Sequence, residues 1–431
     1  MRGTVQHVAV HGCLTNVSKQ STPQEKRMNG MVTDILRSEC AAQSVPKPLE
    51  LARVSSTRSM TSFTAARTDQ ALRCDGRELR NASDELVMLR GINLGGWLVT
   101  ENWMCGLSDS VNGQRFARET LERRFGSEAQ MLMQTWESQW ITAHDISKIQ
   151  ELGFNMIRVP FSWRTLQHAD GSWITDAAGN VDFSRLDWIV HEAWVHHLYV
   201  ILDLHIWDSQ QKDYQLISRY ADEAKSSQAH AAALWYTIAS HFKGNDTIAG
   251  FDVVNEPNGS PANVLHHALY EAVRAGDPGR IVIMESVSWD DRWQNVMYSM
   301  HEYACMSEDL LANKACWEKQ EKGRLCTQLN RGAPLYIGEF MTNKKESWQW
   351  LLAQFNNMGL SWSPWTYKTV NMGGWGLYSV RKFCVDLNHD SFETILSVFS
   401  SRLCTINNAS ANELQISAIS QAAFGTCQDN S

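Results

Sequence analysis

Two short motifs end an apolar run on a glutamate. Asn255-Glu256-Pro257 closes AGFDVVNEP (249–257), and Gly338-Glu339-Phe340 closes PLYIGEF (334–340). Two carboxyl groups facing each other across a cleft suit glycoside hydrolysis, where one protonates the leaving oxygen and the other attacks the anomeric carbon. Other apolar runs also end on chemistry-bearing groups: Arg158, His205, Glu285, His301 with Tyr303, and Trp365. Taken singly, each has a plainer reading. An arginine after a strand is usually an ion-pair partner, and a lone histidine is usually a satisfied core residue. Seven such ends in register are harder to explain that way, because an unpaired buried charge is costly. Glu285 lacks an Asn or Gly partner and reads as a supporting group. Glu302 lies between His301 and Tyr303, so strand alternation turns it to the opposite face.

These residues need a scaffold that brings strand ends together. The runs VMLRGIN (ending at Asn93), FNMIRVP (154–160), YVILDLH (199–205), AGFDVVNEP, RIVIMES (280–286), VMYSMHEY (296–303), PLYIGEF and LSWSPWTY (360–367) are dense in Val, Ile, Leu and Met. Strands covered on both faces read this way. Helical spacing joins Phe183, Leu186, Val190, Ala193, Trp194 and His197, and again Ala231, Leu234, Trp235, Ile238 and Phe242. Eight strands alternating with helices fit a (β/α)8 TIM barrel better than a long doubly wound sheet, and in a barrel the C-terminal strand ends share one mouth. The expected organisation is a poorly ordered leader over 1–70, a catalytic domain over 71–410 and a C-terminal tail over 411–431. A small hairpin with Asp-Gly and Asn-Ala-Ser turns is expected just after the leader.

Composition narrows the function classes. The net charge is −8 without a long basic run, which argues against nucleic acid and anionic membranes as partners. There is no run of 18 apolar residues to span a membrane, and Gln and His interrupt any signal-peptide core after Arg2. Residues 51–68 are rich in Ser, Thr and Arg, but they lie too far into the chain for a transit peptide, so localisation stays undetermined. The ten cysteines form no C-x-x-C pair. With no H-e-x-x-H spacing, phosphate loop or G-x-S-x-G elbow, neither a metal nor a cofactor is expected. Cys305, Cys316 and Cys326 crowd one polar stretch, where a single disulfide fits an oxidising compartment. The 18 tryptophans are mostly core material, with some available as sugar platforms.

In order and spacing the motifs LRGINLGGWLVTENWM (89–104), GFNMIRVPFSW (153–163), VILDLH (200–205), IAGFDVVNEPNG (248–259), MYSMHEY (297–303), YIGEF (336–340) and WSPWTYKT (362–369) resemble glycoside hydrolase family 5, most nearly its exo-β-1,3-glucanase-like branch. The resemblance runs from about residue 72 to 404. It implies a retaining β-glycoside hydrolase with Glu256 as acid/base and Glu339 as nucleophile. Asn255 would hold the sugar 2-hydroxyl, and Arg158 would lie beside Glu339 as its counter-charge. Tyr303 would bond the nucleophile, while His205 and His301 would shape the site. Trp365 would be the sugar platform, and Glu101 would grip the outer hydroxyls. A proton must reside on Glu256 for acid catalysis, so its pKa is expected above the ordinary range.

The implied substrate is a β-glucan or β-glucoside and the expected state a monomer. The loop IWDSQQKDYQ (206–215) lacks the glycines of the branch, carries Trp207, and offers Asp213 as a stand-in for a sugar-binding acid. Linkage and exo versus endo action therefore stay open, with an endo-β-1,4-glucanase or a β-glucosidase as alternatives. A carbohydrate-binding pseudoenzyme is the reading from another class, but it would require a missing carboxylate, and both are present.

Overall fold

The structure, a computed structural model, describes residues 70–108, 116–206, 222–257, 262–285, 290, 292–381, 385–401, 405–406 and 409–423. All of these belong to one compact unit, Pro46–Ser431. The leader expected over 1–70 lies outside the described residues apart from Gln70, as do Trp207 and Asp213.

Eight parallel strands form the central sheet: β1 (Gly91–Asn93), β2 (Met156–Ser162), β3 (Tyr199–Ile206), β4 (Ile248–Asp252), β5 (Ile281–Glu285), β6 (Val296–Glu302), β7 (Leu335–Phe340) and β8 (Ser361–Trp362). Neighbours in sequence are neighbours in the sheet. The two ends meet: Arg90 and Trp362 form a parallel bridge, the Trp362 N–H donates to Leu89 O at 2.9 Å, and Tyr367 N–H donates to Asn93 O at 3.0 Å. The result is a (β/α)8 TIM barrel, which has no free sheet edge to protect.

Every strand candidate contributes to the barrel, but the first splits. Leu86–Val87 joins a separate three-stranded antiparallel sheet with Arg73–Asp75 and Glu78–Arg80, and Gly91–Asn93 enters the barrel. Gly76 turns the first hairpin at φ +57°, a conformation that favours glycine. Leu79 from this sheet and Leu72 just before it pack with Met156, Ile201, Ala249 and Ile281, at or near the N-terminal ends of β2 to β5. It thus plugs the end of the barrel opposite the mouth.

Both amphipathic patterns form helices, Ser184–Val195 and Asp222–His241. Leu186, Val190 and Ala193 are buried as expected, whereas Trp194 is 37 % exposed. The segment expected as a C-terminal tail includes a helix. Glu413–Ala423 is a helix that buries Gln415, Ala418, Ile419 and Ala423, so the barrel domain extends past residue 410. Asn356 and Arg90 donate to the carbonyls of Ala422 and Ala423. Cys305 and Cys316 form a disulfide just after β6.

Candidate active site

Arg158 on β2 is fully buried and forms the floor of the mouth. Its guanidinium donates to Asp252 Oδ2 at 3.0 Å, Asn93 Oδ1 at 3.0 Å, Glu339 Oε1 at 2.8 Å and Asn255 Oδ1 at 3.0 Å. Asp203 Oδ2 lies 3.1 Å away. One planar, five-donor cation thereby fixes groups from β1, β3, β4 and β7, a task that suits arginine's rigid fork.

Glu339 at the end of β7 receives a second bond, from the Tyr303 hydroxyl at 2.9 Å. Burial, reinforced by the charge of Glu339, pushes the Tyr303 hydroxyl well above its usual range, so it remains a proton donor. Glu256 follows β4. Its Oε1 is 2.8 Å from His301 Nδ1, and the same nitrogen lies 3.5 Å from Glu339 Oε2. One carboxylate oxygen of Glu256, one of Glu339 and a His301 nitrogen all lie within 4.8 Å of one another. That spacing is short enough for a double-displacement pair.

The charge state of Glu256 differs from expectation. Burial pushes its carboxyl up, but the hydrogen bond from His301 and the positive charges of His301, His205 and Arg158 outweigh that, and the group titrates below the usual range. His301 shows the complement. Burial disfavours its charge, yet Glu285, Glu339 and Glu256 hold its proton well above the ordinary imidazole range. The proton therefore sits on the imidazole side of the Glu256–His301 bond.

His205 on β3 bonds Asp203 at 2.8 Å, and its Nε2 is 3.7 Å from Glu101 Oε1. Burial lowers its pKa, but Asp203 and Glu101 overcome this and raise it to about 10. The Trp365 ring stacks on His205 at 5.4 Å and is itself 3 % exposed. Glu101 accepts from the indole N–H of Trp103, and the Trp103 ring meets Trp375 edge-on at 5.2 Å. All nine residues singled out in the sequence (Glu101, Arg158, His205, Asn255, Glu256, His301, Tyr303, Glu339 and Trp365) belong to this linked set.

The decoys behave differently. Glu302 faces away from the mouth, paired with Arg324 at 2.8 Å. Glu285 turns inward to His301. The sequence reading missed Asn93, Asp203 and Asp252. The available signal was an acid on an inward position of an otherwise apolar strand, as in VILDLH and AGFD. Burial, partly offset by Arg158, pushes the Asp252 carboxyl up to about 8.

Glu256, His301 and Glu339 are spaced as a metal-binding set would be. These groups are already engaged with one another and with protein donors: Arg158 and Tyr303 bond Glu339, and His301 bonds Glu256.

A parallel barrel whose mouth holds two close carboxyls over an arginine defines a barrel glycoside hydrolase. The family model for cellulases, glycosyl hydrolase family 5, matches residues 116–371, and the chain belongs to that family. Among curated relatives it is 25 % identical over 351 residues to a β-xylosidase of Phanerodontia chrysosporium, covering 70 % of this chain and 72 % of that one. It is 28 % identical over 274 residues to a probable glucan 1,3-β-glucosidase A of Aspergillus niger. That match covers 59 % of this chain and 65 % of the relative, just under two thirds of its length. A crystal structure of Thermotoga maritima Cel5A with mannotriose shares the fold, with TM-score 0.50 and 17 % identity over 77 % of this chain and 97 % of that one. Among the described residues no helix is long and apolar enough to cross a membrane.

Proposed function

We propose that this glycoside hydrolase cleaves β-glucans or β-glucosides with retention, Glu339 attacking the anomeric carbon and Glu256 protonating the leaving oxygen. The observation that carries this reading is the pair of carboxylate oxygens within 4.8 Å of each other. Arg158 and Tyr303 hold Glu339 from two sides and leave Glu256 free of both, which supports a nucleophile at 339. Glu256 takes the proton from His301 and passes it to the departing oxygen. The glycosyl bond then rests on Glu339 until a water, deprotonated by Glu256, displaces it. Asn255, Glu101, His205 and Trp365 bind the sugar. Every one of these groups comes from a single chain, which supports action as a monomer.

The glucan preference rests on relatives named glucan 1,3-β-glucosidase, and the relative named β-xylosidase makes pentosides the competing substrate. The test is product analysis by NMR on laminarin, carboxymethylcellulose, an aryl β-glucoside and an aryl β-xyloside. A β-anomer as first product is expected, and an α-anomer would rule out double displacement. Roles are separated with azide. In Glu339→Ala it should yield a glycosyl azide of inverted configuration, and in Glu256→Ala one of retained configuration. The reverse pattern would exchange the two assignments.

A further inference from the structure

We propose that Glu285, at the end of β5, is a positioning residue for the acid/base, one carboxylate that fixes both the backbone of Glu256 and the imidazole that Glu256 bonds. This rests on the assignment of Glu256 made above. Glu285 Oε2 accepts the backbone N–H of Glu256. Its Oε1 lies 2.7 Å from His301 Nε2, while the other ring nitrogen of His301 bonds Glu256 Oε1 at 2.8 Å. The contacts close a ring through residues at the ends of β4, β5 and β6: Glu256 backbone, Glu285, His301, Glu256 carboxyl.

Two features give Glu285 its place in the ring, and the second calls for a carboxylate. The first is backbone strain. Glu256 sits at φ +46°, in the left-handed region, which disfavours a residue with a Cβ. A fixed acceptor for its N–H holds that conformation and with it the direction of the side chain. The second is charge. The Glu285 side chain is 4 % exposed, and burying a carboxylate to satisfy one N–H would be wasteful when a neutral amide or hydroxyl could do so. Burial pushes the Glu285 carboxyl up and the His301 imidazolium opposes that, so the charge it carries acts at His301. That imidazole faces Glu256 after β4, Glu285 on β5 and Glu339 on β7, with Asp252 and Arg158 beyond. Among these, Glu285 contributes most to holding the proton on His301.

The proton path then balances over one cycle. His301 gives its Nδ1 proton to Glu256 Oε1 as Glu256 protonates the leaving oxygen. His301 is then neutral beside Glu285. In the second half, water gives a proton to Glu256, which returns it to His301, while the hydroxide oxygen bonds the anomeric carbon and Glu339 leaves.

The experiment compares wild type, Glu285→Gln, Glu285→Asp and Glu256→Gln on aryl β-glycosides with a good leaving group (2,4-dinitrophenyl) and a poor one (phenyl), across pH. Glucosides or xylosides are used, whichever the wild type turns over. Glu285→Gln should lower kcat/KM on the phenyl glycoside about ten- to a hundredfold, within the ~10²–10⁴ that acid catalysis supplies. It should spare the dinitrophenyl substrate, and its basic limb should move to lower pH, because the charge retaining the His301 proton is gone. Glu285→Asp should keep the limb near the wild-type position. Equal losses on both leaving groups with unmoved limbs would reduce Glu285 to a structural role and overturn the proposal. Should Glu256→Gln itself show no leaving-group dependence, the acid/base assignment falls and this inference with it. The isosteric Gln variant keeps a folded chain available, checked by its melting curve.

Discussion

Arg158 bonds or pairs with Asn93, Asp203, Asp252, Asn255 and Glu339, and its burial makes each of those contacts matter. The residues visible in sequence were those sitting beside a recognisable neighbour: Glu256 in N-E-P, Glu339 in G-E-F, His301 and Tyr303 in one run. Asp203 and Asp252 were hidden because each is flanked by apolar residues, and both meet Arg158, which is distant in the chain. The proton on His301 was hidden for another reason: it depends on three carboxylates converging from three strands. This charge set has a consequence for stability. His205 has a folded pKa of about 10 against an ordinary 6.5, so its contribution is fully present below about pH 6.5 and lost as pH rises through 10. Asp252, pushed up to about 8 from 3.8, adds the same sign: the folded chain keeps a proton there that the unfolded chain has released. The melting temperature should therefore fall between pH 7 and pH 10, and His205→Gln should flatten that fall. Calorimetry across this range is the check, and a melting temperature that holds or rises would contradict the assigned proton positions.

Among the elements, β6 and β7 fit closely beside the site. They pair in parallel with a register shift between Met300 and His301, which aims His301 and Tyr303 into the mouth. Gly338 makes room for this. A Cβ there would stand 2.7 Å from Ser299 Oγ and 3.0 Å from His301 Nε2, closer than packed side chains tolerate. Gly338→Ala should displace His301, lowering kcat tenfold or more, with a stability loss of about 1–3 kcal/mol. Paired kinetics and urea titration would test this, and unchanged kcat would mean that His301 has slack the structure does not show. The element pattern itself was largely readable: eight apolar runs and their order are the barrel's eight strands. Boundaries were less readable. LSWSPWTY yields only Ser361–Trp362 as strand, because its remaining residues are spent joining β1 at the seam and carrying Trp365.

At the scale of the molecule, the barrel is shut by residues far apart in sequence. Leu89 and Asn93 meet Trp362 and Tyr367, Trp362 is bonded by its indole N–H to Asn356, and Asn356 in turn donates to Ala422. The helix Glu413–Ala423 thus braces the seam, which its sequence alone did not reveal: its long apolar side chains against the core are only Ile419, buried, and Ile416, partly buried. A chain ending at Asn412 should lose several kcal/mol of stability, since it uncovers Ile419's site and the partners of Asn356 and Arg90. Equilibrium unfolding would measure the loss, and an unchanged midpoint would show the brace to be dispensable. The same seam sets a timetable for biosynthesis. Until residue 362 has left the ribosome, β1 and β7 are both open edges, and until residue 423 follows, the join is unbraced. A polypeptide terminated before these residues would present unpaired strand edges to its neighbours and to the proteases and chaperones that survey them, so closure of the barrel waits on synthesis through residue 423.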